Sequence, residues 1–151
     1  MTTATQLFAH WQQVRRVLIE TANKFTEADL SFAPFEGAWT VGQILCHIAD
    51  AEEGWFQYVI HRQYEKWPDQ FTPANYLTLA AIQQGWAEVH TRTEAYLDTL
   101  PLEDLDQIIL TPWGSNFSLN WIIWHVIEHE IHHRGELSLI LGMLGREGLD
   151  V

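Results

Sequence analysis

The chain has 151 residues, 47% of them hydrophobic, which suits one domain spanning 1–151 around a single core. Twenty Asp and Glu against eight Lys and Arg give a formal charge of −12, so a phosphate backbone is repelled and nucleic-acid binding is not expected. The lone Cys46 forms no internal disulfide, the opening MTTATQLFAHWQQVRR has no signal-peptide pattern, and no apolar run approaches a membrane span, so a cytoplasmic protein without a membrane partner is expected.

Leu7, Trp11, Val14, Leu18, Ala22 and Phe25 recur at spacings of three and four, which predicts a first helix over residues 4–25. Pro34 and Gly37 then mark a connection. Thr40 with Gln43 three residues later forms a capping-box pattern and opens a second helix over 41–63, with Val41, Ile44, Ile48, Trp55 and Val59 on its apolar face. Pro73, capped by Thr72, suits the first turn of a third helix running to Leu100. Ile108–Leu110 followed by Pro112, Gly114 and Asn116 predict a short extended or hairpin-like excursion. Ser118 caps the fourth helix, which persists through Leu144 until Gly145 and Gly148 stop it. The fold class is therefore all-α, an antiparallel four-helix bundle. Most of the eight Trp belong in its core, while Trp67 and Trp113 fall in turn-rich segments, where core or loop packing is expected ahead of lining a pocket or an interface.

The fourth helix holds the stretch HVIEHEIHHRGEL, residues 125–137. Eight His placed at random give only roughly 0.4 pairs four apart, yet this segment alone supplies 125/129 and 129/133. On a helical wheel His133 lies roughly 20° and His129 roughly 60° from the centre of the apolar stripe. Both point inward, whereas His125 sits at the edge and His132 outside. Two inward imidazoles one turn apart need either hydrogen-bond partners or a metal.

The pair also spells His129-Glu130-x-x-His133, a zinc-protease pattern in which the glutamate is a base. Beyond His133 the remaining ligand candidates are Glu136, Glu147 and Asp150, so a third ligand comes from upstream. Glu130 lies on the core face and acts as a base, orients a ligand, or pairs with a cation on another helix. Glu52 projects into the apolar face of the second helix, as an outer support for the site or a partner for Arg15 or Arg16. His10, His61 and His90 read as surface or boundary residues.

WTVGQILCHIADAEEGW in the second helix and HVIEHEIHHRGEL in the fourth resemble the DinB-like family of four-helix metalloproteins, over nearly the whole chain. The resemblance implies a metal triad of His47, His129 and His133, although His47 lies only at the edge of its apolar face. Glu136 stands where the family pattern HRGQ has Gln. One divalent ion, zinc or nickel, a homodimer, and either transfer of a low-molecular-weight thiol to an electrophile or metal-assisted hydrolysis follow as expectations, with Glu130 or Glu136 as base for the hydrolysis. Thiol transfer is the preferred chemistry. A non-enzymatic, metal-binding stress-response protein is the third reading, favoured if His125, Glu52 or Glu130 supplies a fourth ligand.

Overall fold

The computed structural model describes residues 2–148. Five helices and a hairpin follow in order: α1 Ala4–Leu7, α2 Trp11–Ala22, α3 Val41–Glu53, α4 Leu79–Thr99, β1 Ile108–Leu110, β2 Asn116–Ser118 and α5 Leu119–Met143. The long helices α2 to α5 make a four-helix bundle in which α5 packs against both α2 and α3, and α3 packs against α4. None of the described helices is long and apolar enough to cross a membrane.

The first predicted helix is broken in two. Ala4 N–H donates to Leu100 O at 2.8 Å and Thr3 bridges to Pro101, so the opening turn is pinned to the end of α4. That anchor rotates α1 relative to α2: Leu7, expected on the apolar face, is exposed, and Ala4 and Phe8 enter the core instead.

The capping box at Thr40 forms as its spacing predicts, with Gln43 N–H donating to Thr40 Oγ1 and Thr40 N–H to Gln43 Oε1. At Gly54 α3 widens into a π-helical stretch, Gly54–Ile60. The Trp67 indole lies against the backbone there, and a Cβ built on Gly54 would overlap it. Glycine permits that approach.

The third long helix starts six residues later than Pro73 predicts. Thr72 begins a hydrogen-bonded turn through Asn75 and Tyr76 that does not propagate. The α4 N-terminus is fixed instead by Thr78, which accepts from Ala81 N–H, and by Glu27, which accepts from Leu79 N–H. Two acceptors at one helix end outweigh the preference of proline for a first turn.

The excursion before the last helix is an antiparallel hairpin pairing Ile108 with Ser118 and Leu110 with Asn116. Ser118 Oγ then accepts from Trp121 N–H and opens α5. At the other end Gly145 adopts a φ of 76°, and Arg146 N–H returns to Leu141 O. Asp150, one of the candidate ligands, lies outside the described residues.

Two apolar clusters fill the bundle. One holds Phe8, Trp11, Val14, Phe56, Leu97 and Ile127; the other holds Leu18, Ala49, Trp86 and Leu137. On every long helix a buried polar residue falls between them in sequence: Arg15 on α2, Glu52 on α3, His90 on α4 and Glu130 on α5.

Candidate metal centre

α5 carries His129 and His133 one turn apart, and α3 brings His47 against them. His129 Nε2 lies 2.9 Å from His47 Nε2 and 3.2 Å from His133 Nε2. One ligand atom from each of the three lies within 4.8 Å of the others. Nitrogens bound tetrahedrally at zinc stand roughly 3.3 Å apart, given Zn–N bonds of about 2.0–2.1 Å, so the spacing fits a shared ion.

Hydrogen bonding alone does not account for this convergence. His133 Nδ1 is 2.8 Å from Glu136 Oε2, so the neutral ring carries its proton there and turns a bare lone pair inward at Nε2. Asp50 Oδ2, 3.6 Å from His47 Nδ1, favours the same tautomer in that ring. A proton on His129 Nε2 would satisfy only one of its two neighbours, leaving lone pairs opposed at the other. A cation between the nitrogens resolves the conflict, and a carboxylate behind a ligand imidazole is the usual arrangement around bound metal.

Burial keeps the His129 and His133 rings neutral and able to coordinate. Burial, reinforced by the neighbouring imidazoles, pushes His129 down to about 3. His133 is also lowered, chiefly by burial, with Glu136 opposing. Among the described residues no other His, Cys, Asp or Glu joins this cluster of three. A second, overlapping group joins His133 to the exposed His132 and to Glu136 on its outer side.

The DinB superfamily model matches residues 10–137, a span that includes all three histidines. The chain belongs to that superfamily. It is 28% identical over 136 residues to the uncharacterized protein YizA of Bacillus subtilis strain 168, covering 89% of this chain and 83% of that protein. Its fold is similar to that of a DinB-like protein from Bacillus cereus ATCC 10987, with a TM-score of 0.78 at 20% identity over 99% of this chain and 97% of that one. YfiT from Bacillus subtilis, described as a probable metal-dependent hydrolase with an unusual four-helix bundle topology, superposes with a TM-score of 0.57 at 23% identity, covering 87% of each chain. The mycothiol-dependent maleylpyruvate isomerase superposes with a TM-score of 0.59 at 16% identity, covering 88% of this chain and 62% of that one.

The remaining candidates of this DinB chain lie elsewhere. Glu130 turns away from the triad into the polar layer, where its Oε2 accepts from Trp11 Nε1 at 2.9 Å and from Arg15 Nη2 at 3.0 Å. Glu52 is there too, 2.5 Å from Arg15 Nη2 and 2.7 Å from His90 Nδ1. Arg15, not Arg16, is therefore its cation, and His90 is buried rather than a surface or boundary residue. Burial raises Glu130 above its ordinary range; burial also works against Glu52, but Arg15 and His90 beside it hold it at about 2. The two carboxylates thus share one guanidinium unequally. His125 leaves the triad to stack on Trp121 at 4.7 Å and to meet Trp55 edge-on.

Trp39 and Asp50 belong to the site and escape a periodicity reading. The Trp39 ring meets His47 edge-on at 4.8 Å and stacks over His133 at 6.5 Å. The signal for Asp50 was its position three residues after His47, one helical turn away. A cavity of about 280 Å³ opens beside His47 between Trp39 and Phe71. A larger one, about 460 Å³, lies between α2 and α5 along Val17, Ile131 and Gly135 and includes none of the three histidines.

Proposed function

We propose that the protein is a divalent-metal-dependent enzyme that transfers a low-molecular-weight thiol to an electrophile. The observation that carries this reading is the convergence of three imidazole nitrogens with no fourth His, Cys, Asp or Glu joining them among the described residues. Structural zinc fills its coordination shell with protein atoms, whereas catalytic sites keep a position for the reactant. A divalent ion held by His47, His129 and His133 supplies Lewis acidity, which lowers the pKa of a thiol or water and makes it nucleophilic.

The protein's own groups do the rest. Glu136 and Asp50 hold the His133 and His47 rings with their lone pairs inward, and Trp39 shields one side of the site. In the transfer the sulfur–carbon bond forms, the thiol proton passes to solvent, and a displaced leaving group departs with its bonding pair. Glu130 is held in the Arg15 pair and Glu136 by His133, so both carboxylates act in this reading as positioning groups rather than bases.

The likeness to the mycothiol-dependent maleylpyruvate isomerase supports thiol chemistry in this fold. The likeness to YfiT supports the second reading, hydrolysis, in which water takes the place of the thiol. Zinc- and nickel-loaded protein assayed with a panel of small thiols against an activated aryl halide, and with ester and amide panels, separates the two. Thiol-dependent turnover that is lost on chelation is expected; turnover of esters or amides alone contradicts the transfer.

A further inference from the structure

Two of the triad imidazoles have a carboxylate behind them, and the two are held in different ways. Glu136 reaches His133 Nδ1 directly, at 2.8 Å, from one turn further along the same helix. Asp50 also stands one turn from its imidazole, but its Oδ2 stops 3.6 Å from His47 Nδ1, beyond hydrogen-bond range. At that separation the pull on the ring is electrostatic and depends on where the carboxylate points. Among the described residues the one hydrogen bond to that carboxylate comes from outside α3: Trp67 Nε1 donates to the same Oδ2 at 3.0 Å.

Trp67 belongs to the connection of residues 61–78, which has no helix or strand. Such a connection exceeds the about 12–15 residues above which irregular loops usually carry function. The indole is enclosed on several sides. A Cβ on Gly54 would overlap it, so the bare backbone at the start of the π-helical stretch forms its seat. Trp55 at 6.2 Å and Tyr58 at 5.9 Å meet it edge-on, and Trp113 in the hairpin turn lies 6.4 Å away. A ring boxed in by apolar neighbours has a fixed direction for its N–H, and that direction is Asp50. The same connection then supplies Phe71, Thr72 and Pro73 to the cavity beside His47.

We propose that Trp67 is a positioning residue for the metal centre: its indole N–H aims the Asp50 carboxylate at His47 and so ties one metal ligand to the connection that walls the cavity. Without that bond the Asp50 side chain, 18% exposed, turns to water. His47 then loses the charge that keeps its proton on Nδ1 and its lone pair on Nε2. The proposal rests on the metal reading above and not on the choice between thiol and water.

Chelator competition for zinc tests it. Trp67→Phe keeps a ring and removes the N–H, and Asp50→Ala removes the acceptor. Asp50→Ala is expected to weaken zinc binding about tenfold or more, and Trp67→Phe, one bond further out, about three- to tenfold. The two losses are not additive. Made in Asp50→Ala, Trp67→Phe changes the affinity by less than about twofold, whereas made in Glu136→Ala it keeps its full effect. Gly54→Ala, which unseats the indole but leaves it in the chain, gives a second route to the same comparison and weakens zinc binding through Asp50 alone. Trp113→Phe disturbs the packing around Trp67 without touching the bond and binds zinc as the wild type does. Circular dichroism shows that the helices are intact in each variant. Unchanged affinity in Trp67→Phe, an effect of Trp67→Phe that persists undiminished in Asp50→Ala, or a loss in Trp113→Phe equal to that in Trp67→Phe overturns the proposal. Equal zinc binding by wild type and Trp67→Phe sinks only this proposal, whereas wild-type protein that retains no zinc contradicts the metal reading as well.

Discussion

His133 and Glu136 sit one turn apart on α5, with Nδ1 2.8 Å from Oε2, and that contact decides which nitrogen of His133 faces the triad. Removing a carboxylate behind a metal-binding imidazole costs about 10- to 100-fold in metal affinity. Glu136→Ala is therefore expected to weaken zinc binding by about that factor in a chelator competition. Glu136→Gln, whose amide oxygen still accepts from Nδ1, loses less. Equal losses in the two variants would show that the charge, not the orientation, matters.

Each of His47→Ala, His129→Ala and His133→Ala leaves two nitrogens where three converged. Wild-type protein freed of metal and reloaded is expected to retain about one divalent ion per chain after desalting, and each variant markedly less. Circular dichroism should show the helices intact in all of them. Stoichiometric retention by any one variant would remove that residue from the ligand set.

Arg15 holds two buried carboxylates, so its loss is costly. Arg15→Met leaves Glu52 and Glu130 without their cation, and breaking a buried pair costs about 3–5 kcal/mol. Glu130→Gln keeps an acceptor for Trp11 and Arg15 and should be far milder. Urea denaturation compares the two; a mild Arg15→Met would mean that the polar layer is hydrated rather than sealed.

The metal-free protein should lose stability on acidification. His129 ordinarily titrates at 6.5 and is held at about 3 in the fold, so between those values the unfolded chain binds more protons and stability rises with pH. His133, also lowered, acts in the same direction. Glu52, held at about 2 against an ordinary 4.5, extends the loss to lower pH, while Glu130, raised by burial, opposes it. Urea midpoints of chelated protein should therefore fall between about pH 6.5 and pH 5. A midpoint that holds or rises over that interval contradicts the burial of these rings.

Gly54 is where the backbone of α3 meets Trp67. Gly54→Ala forces the indole off its seat, and overpacking of this kind costs about 1–3 kcal/mol. The expected outcome is a lower denaturation midpoint with altered tryptophan fluorescence. An unchanged emission spectrum would show that Trp67 is not held there.

The parts of the fold legible in the sequence are those set by local chemistry. Thr40 with Gln43, Ser118 and Gly145 act within one turn of themselves, and the helix boundaries they predict are observed. The inward aim of His129 and His133 follows from the period of one helix. What escaped depends on groups distant in the chain. The break after Leu7 is imposed by Leu100 and Pro101, and at the late start of α4 the distant Glu27 joins the local cap Thr78. His90 has no local sign of burial, because its partner Glu52 lies 38 residues away on another helix. His47 sits at the edge of its apolar face, and the family pattern, not its period, pointed to it.

The most direct measurement is a crystal structure of zinc-loaded protein with anomalous data at the zinc edge. One ion is expected within about 2.0–2.2 Å of a nitrogen from each of His47, His129 and His133, with a non-protein atom in its fourth position. An ion bound elsewhere, or one that leaves His47 outside its reach, would contradict the account.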